Sequence, residues 1–281
     1  MIQANTKPSI IFFGTPEFAI PSLEALASDG YIINAVVTAK EKPRGRGLNT
    51  QASPIQNLAE KYGIAVLYNT ENIPDAELFV IAAYGKIIPK EIINKPKYGT
   101  LNVHPSLLPK YRGPSPIQTA IANGDAQTGV TIILTDEKMD HGPILAQRNV
   151  PIEQDDTGES LSEKLAKTGS ELLVSTIPDW CAGKLKVREQ NHKEATYTKL
   201  LTKETGRIDW SRDASSIERM IRAYYPWPGA WTMLGNTKIK ILKTHIENAS
   251  VVIDILQPEG RKQMTYAEFN RGYTKGEIKF T

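Results

Sequence analysis

One stretch, Gly99 to Gly142, constrains the rest of the chain more than any other: GTLNVHPSLLPKYRGPSPIQTAIANGDAQTGVTIILTDEKMDHG. It opens on a short apolar strand pattern, Thr100, Leu101 and Val103, which also carries Asn102 and His104. Ser106-Leu107-Leu108-Pro109 and a basic Gly/Pro turn from Lys110 to Pro114 come next. A helix pattern around Ile117 to Ala122 leads to a β-branched strand pattern over Gly129 to Thr135 and a polar loop, Asp136 to Gly142. In a parallel sheet neighbouring strands end on the same edge, where open α/β folds place their sites. Asn102, His104 and Asp140 are therefore expected to converge, far apart though they are in sequence.

Those three groups suit acyl transfer to an amine. The amine must lose a proton as it attacks a carbonyl, and the carbonyl oxygen becomes an oxyanion. An imidazole can take the proton directly or through water. An asparagine NH2 can donate to the oxyanion. A carboxylate can orient the imidazole, raise its basicity or hold a water. No serine or cysteine nucleophile is needed if the substrate brings its own amine. Taken singly, the same residues also read as a strand-end asparagine, a half-buried histidine and a turn aspartate before glycine; the choice rests on the whole string.

Upstream, Ser9 to Phe13 reads as a buried strand ending at Gly14-Thr15-Pro16, followed by a helix with Pro21 in its first turn and a strand over Tyr31 to Val37. That order opens a doubly wound sheet. The dinucleotide signature G-x-G-x-x-G is missing after Gly14, which argues against an NAD enzyme. Lys40 to Gly47 (KEKPRGRG) reads as a mobile basic loop before a helix from about Pro54 to Tyr62: either a solvated surface loop or an arm that tracks nucleic-acid phosphates. Strands follow at Ile64 to Leu67 and Leu78 to Ala83, with a connection too short for a full helix.

Downstream, Ile144 to Val150 reads as a strand. A helix starting near Asp155 buries Leu161, Leu165, Leu172, Leu173 and Ile177 as core and ends at Pro178. Gly183 to Gly206 is polar and reads as a linker. A helix around Ala214 to Ala223, short strands at Lys238 to Leu242 and Val251 to Leu256, and a helical tail over Met264 to Asn270 complete the pattern. The single cysteine, Cys181, excludes an intrachain disulfide and a cysteine-rich zinc site. His104, His141, His192 and His245 are scattered with no metal-ligand spacing, and His141 reads as a solvent-facing turn histidine, so no metal is expected. A net charge of only +3 excludes a generic polyanion binder. No apolar stretch nears 18 residues, and Ile10 to Phe13 is too brief for a signal-peptide core; the expectation is a cytoplasmic chain with no membrane association.

Asn102-Val103-His104-Pro105-Ser106-Leu107-Leu108-Pro109, with Tyr111-Arg112-Gly113, Pro116-Ile117-Gln118, Gly129-Val130-Thr131 and Met139-Asp140-His141-Gly142, resembles the 10-formyltetrahydrofolate-dependent formyltransferases, and among them most the methionyl-tRNA formyltransferases. The resemblance implies a Rossmann-like, doubly wound, mostly parallel sheet with a smaller, shortened OB-like β-barrel at the C-terminus. It implies a catalytic domain over residues 1–185, a linker over 186–205 and a tRNA-binding domain over 206–281. Asn102, His104 and Asp140 match the catalytic triplet. Ser106, Leu107, Leu108 and Pro109 match the folate-contacting segment, with Tyr84 and Gly85 as the turn beside it, and Lys42, Arg44 and Arg46 match a loop that engages the tRNA acceptor end. The implied reaction carries a formyl group from 10-formyltetrahydrofolate to the free amino group of methionine on initiator tRNA, in a monomeric enzyme. Two alternatives stay open: a formyltransferase acting on a small amine such as a nucleotide-linked amino sugar, and a non-catalytic folate- or tRNA-binding relative.

Overall fold

The structure, a computed structural model, describes residues 7–40, 42–44 and 49–273. In chain order the first elements are Ile10–Gly14 (β1), Ile20–Ser28 (α1), Ile33–Val37 (β2), Lys42–Arg44 (β3), Asn49–Gln51 (β4), Pro54–Lys61 (α2), Val66–Leu67 (β5) and Leu78–Ala82 (β6). Lys90–Ile93 (α3), Thr100–His104 (β7), Pro116–Asn123 (α4), Gln127–Leu134 (β8), Ile144–Pro151 (β9) and Gly158–Cys181 (α5) follow. Ala214–Ala223 (α6), Ala230–Leu234 (β10), Thr237–Glu247 (β11), Ser250–Pro258 (β12), Met264–Thr265 (β13) and Tyr266–Tyr273 (α7) close the list.

Two compact units emerge. One takes in the chain up to Gly113, then Gly129–Val150 and Glu163–Tyr197. Its sheet has the strand order β5-β2-β1-β6-β7-β8-β9. Strand β1 is buried along its whole length, as a strand covered on both faces must be. It pairs in parallel with β2 on one side and β6 on the other. From β1 the chain winds outward to β2 and β5, then returns to β6 and β7 on the other side. The winding therefore reverses between β1 and β6, a topological switch point. The C-terminal ends of β1, β6 and β7 carry Gly14, Ala82 and His104. Gly14 must be glycine: a Cβ there would sit 2.8 Å from the Ala19 Cβ. Phe13, Phe79, Tyr84 and Ile88 pack into one core cluster beneath this edge.

The other unit takes in Pro114–Thr128, Pro151–Ser162 and the chain from Thr198 onward. Its sheet is antiparallel, in the order β10-β11-β12-β13. Helix α6 lays Ile217, Met220 and Ile221, spaced for one helical face, into a core with Ile239, Ile241, Leu256 and Phe269. Asp213 caps that helix by accepting from the Ser216 N–H at 2.9 Å.

The fold class is the expected one, a mostly parallel sheet with a small barrel-like antiparallel sheet behind it in sequence. Several details differ from expectation. Strands β7 and β8 are antiparallel, Leu101 facing Leu134 and His104 facing Thr131, so they do not end on one edge. Helix α5 does not stop at Pro178 but runs to Cys181; proline forfeits only its own N–H, and its carbonyl still accepts from Ala182 at 3.0 Å. The basic stretch is no plain loop: β3 and β4 pair as an antiparallel hairpin, Lys42 opposite Gln51 and Arg44 opposite Asn49. Arg46 lies outside the described residues. Strand β10 and the short α3 carried no clear pattern in the sequence, because each is brief and bounded by proline or glycine.

Candidate active site

His104 ends β7 and is 4% exposed. Its Nε2 lies 3.0 Å from the Tyr111 carbonyl oxygen. A carbonyl only accepts, so Nε2 carries the proton and Nδ1 holds the lone pair in the neutral ring. Nδ1 faces the Asp140 carboxylate, 3.5 Å from Oδ1. The same Oδ1 accepts from the Asn102 amide at 3.3 Å, and Oδ2 accepts from the Gly113 N–H at 2.7 Å. Carboxamide, imidazole and carboxylate thus meet, as expected, but not through parallel strand ends. Asp140 arrives on the loop that joins β8 to β9 and folds back over β7.

That loop has an unusual backbone. Asp140 has φ of 49°, in the left-handed region, which aspartate tolerates better than most residues. Two residues on, Gly142 has no alternative, since a Cβ would lie 1.8 Å from the Leu134 carbonyl oxygen. Loop and strand are pressed together there, and the Leu134 N–H bonds the Pro143 carbonyl at 3.0 Å. Tyr111, whose carbonyl fixes the histidine tautomer, is also left-handed, with φ of 60°. Such backbone conformations persist only where surroundings over-determine them.

The Ser106–Pro109 turn is held mostly by its own chain. Thr131 Oγ1 donates to the Ser106 carbonyl at 2.6 Å and accepts from the Leu108 N–H at 3.1 Å. Gln147 donates to the Leu108 carbonyl at 2.9 Å. The Ser106 hydroxyl donates to the Lys110 carbonyl at 2.6 Å, and Leu108 packs into a core cluster with Ile133 and Ile144. Leu107 and Pro109 are the partly exposed members of the turn. Tyr84 packs edge-on against Phe13, with ring centroids 5.5 Å apart, and burial pushes its phenol pKa up. Gly85 faces open space. Beyond it Ile87 is 94% exposed, and across the Lys90–Glu137 ion pair of 2.7 Å the adjacent loop presents Met139, 62% exposed.

Composition concealed two features. His141 is not a plain solvent-facing histidine: its Nδ1 sits 2.6 Å from Asp136 Oδ2 and its ring stacks on His192, centroids 3.9 Å apart. Residues 186–197, which read as linker, bind the site's loops. Gln190 donates to the carbonyls of Asp140 and Gly142, at 2.9 and 2.7 Å. Thr196 takes the N–H of Tyr111 on its hydroxyl and that of Arg112 on its carbonyl, each at 2.8 Å. Arg112, 1% exposed, reaches Gln190, His192 and Tyr197. Among the described residues no group of three or more His, Cys, Asp or Glu side chains could hold a metal ion, and no helix is long and apolar enough to cross a membrane.

Comparison with known proteins gives the site a context. The family model described as formyl transferase matches residues 7–177, and one described as formyl transferase, C-terminal domain, matches residues 200–252. The chain is 40% identical to the methionyl-tRNA formyltransferase of Caldanaerobacter subterraneus subsp. tengcongensis, over 94% of this chain and 96% of that one. It is 42% identical to that of Thermodesulfovibrio yellowstonii, over 94% and 95%. Among solved structures, the sugar 3N-formyl transferase WlaRD superposes with a TM-score of 0.67 at 22% identity, covering 86% of this chain and 88% of that one. The methionyl-tRNA formyltransferase from Clostridium thermocellum superposes at 0.62 and 20% identity, covering 89% and 98%. At such identities these two speak for the fold alone.

Proposed function

The chain belongs to the formyl transferase family, and from that premise we infer that it transfers a formyl group from 10-formyltetrahydrofolate to the free amino group of methionine on initiator tRNA. The observation that carries this reading is the meeting of Asn102, His104 and Asp140 in one place. Relatives at about 40% identity across nearly the whole chain bear the methionyl-tRNA formyltransferase name, whereas the sugar enzymes resemble it only at the level of fold.

Each group has a definite task. A primary amide has two N–H donors; Asn102 spends one on Asp140 and keeps the other for the oxygen of the formyl group as it gains charge. His104 receives the amine proton at Nδ1, because Nε2–H is held by Tyr111. Asp140 then stabilises the imidazolium it faces. A peptide α-amino group has a pKa of about 7.7–8.0, and the neighbouring ester lowers it, so the neutral nucleophile is available near neutrality. His104 returns its proton to the departing nitrogen. 10-Formyltetrahydrofolate supplies an activated formyl group when bound. The chain offers such a donor a suitable surround: the exposed Ile87 and Met139 suit a flat ring, and Gly85 leaves room beside them. Leu107, Pro109 and the backbone of the Ser106–Pro109 turn would line the donor side, with Ser106 and Leu108 serving as internal supports and Tyr84 as the wall behind.

Lys42, Arg44 and Arg46 are assigned to the tRNA backbone, the first two on the paired strand β3. The C-terminal region, 206–281, is assigned to the same partner, with 1–185 as catalytic domain; of the intervening 186–205, the part through Tyr197 belongs with the catalytic unit and only the remainder is left as linker. The protein works as a cytoplasmic monomer without a metal. Incubation with 10-formyltetrahydrofolate and Met-charged initiator tRNA, beside a charged elongator tRNA and a nucleotide-linked amino sugar, tests the reading. Formyl-methionyl-tRNA is the expected product; transfer to the sugar but not to charged tRNA would overturn it.

A further inference from the structure

Gln190 carries no chemistry of its own, yet it is 4% exposed and all its hydrogen-bonding capacity is used. Its Nε2 donates to the carbonyls of Asp140 and Gly142. Its Oε1 accepts from Arg112 Nε at 3.2 Å and Nη2 at 2.6 Å. The orientation of the amide is forced, since carbonyls only accept and a guanidinium only donates. The two carbonyls it gathers flank His141, so the amide closes the loop at the point where Asp140 turns left-handed.

That turn decides where the carboxylate points. With Asp140 at φ of 49°, Oδ1 reaches both Asn102 and His104. Released to an ordinary right-handed or extended conformation, the same side chain would swing away from both. Nearby, Thr196 fixes the backbone on either side of the Tyr111 carbonyl, and Ile144 and Arg188 exchange backbone bonds of 2.8 and 2.9 Å. The segment that reads as a linker therefore lies along the catalytic unit and grips both loops of the site.

We propose that Gln190 is a positioning residue for formyl transfer: by donating to the Asp140 and Gly142 carbonyls, with Arg112 behind it, it aims the Asp140 carboxylate at His104 and Asn102. This rests on the reading of Asp140 as the partner of His104. Misplacing a catalytic group by about 1 Å typically costs on the order of 10²-fold in rate. The Gln190→Leu variant should lose roughly 10- to 100-fold in kcat. KM for both substrates should stay within about twofold, because the lost interaction matters in the transition state.

The experiment measures kcat, both KM values and the thermal midpoint for Gln190→Leu, Gln190→Glu, Asp140→Ala and the Gln190→Leu/Asp140→Ala pair. Glu at 190 keeps a partner for Arg112, and so the fold, but as a carboxylate it has no N–H for the two carbonyls. It should lose kcat as Gln190→Leu does while remaining folded, with a lower thermal midpoint than wild type because the two carbonyls lose their donors, and it carries the test if the leucine variant misfolds. In the Asp140→Ala background the change at 190 should cost nothing further in kcat. Wild-type kcat for a folded Gln190→Glu, or equal losses from Gln190→Leu with and without Asp140, would overturn the proposal. Full kcat for Asp140→Ala would instead sink the reading of the site beneath it, so the two failures are distinguishable.

Discussion

Residues 99–142 and 186–197 meet at one site and contribute different things. The first stretch brings the groups assigned to the chemistry: a carboxylate with a carboxamide 3.3 Å and an imidazole 3.5 Å from the same oxygen. The second brings a buried glutamine amide and a threonine, both spent on backbone groups of the first. The contrast separates two requirements of catalysis. Reactive groups are supplied by residue type, while their aim is supplied by whatever fixes the loops that carry them.

Substitutions rank along that division. The largest losses fall in the first stretch: His104→Ala should cost about 10²–10⁴ in turnover and Asn102→Ala about 10²–10³, with circular dichroism unchanged. A folded variant of either that kept about a third of wild-type turnover would break the comparison. The Gln190 variants come next, one to two orders of magnitude down.

Outside both stretches, Arg44→Ala with Arg46→Ala should weaken tRNA binding and reduce its salt slope by roughly one per charge removed, with folate binding intact. Unchanged tRNA affinity across a salt titration would remove these arginines from the interface. The smallest effect lies in the second stretch and touches stability alone. His192 Nδ1 accepts from Arg112 at 2.8 Å, and partial removal from water, then His141 and Arg112, lower the ring's pKa. The folded chain therefore resists a proton that the unfolded chain takes up near pH 6.5. Stability contributed by the neutral ring is present above that value and is lost as pH falls below it. Thermal midpoints should drop on acidification from about pH 7.5 to about 5.5, and less so for His192→Gln. Parallel curves for the two proteins would contradict it.

Much of the fold was legible in residue pattern. The unbroken Ile10–Phe13 run announced a strand covered on both faces, and the Leu161 to Ile177 spacing announced α5. Asn102, His104 and Asp140 stood out only through the whole string that carries them, since singly such residues are common at strand ends and turns. What stayed hidden was direction and fastening. Nothing in Gly129–Thr135 says whether that strand runs with or against β7; pairing sense is set by the connection and by neighbours distant in sequence. Gln190 and Thr196 sit in a polar, aperiodic segment, and their importance lies in partners 50 and 85 residues away. The β3–β4 hairpin, three residues a side, was too short to give an alternating pattern. Only the stacked His141 and His192 left a faint trace, two of just four histidines.

Whether His104 and Asp140 act as one unit is the point most open to direct measurement: turnover of Met-charged initiator tRNA by His104→Ala, by Asp140→Ala and by the two combined. Residues that work together are grossly non-additive, so the combined variant should be no slower than the slower single one. Losses that multiply would mean two independent contributions, and the catalytic triplet would have to be abandoned.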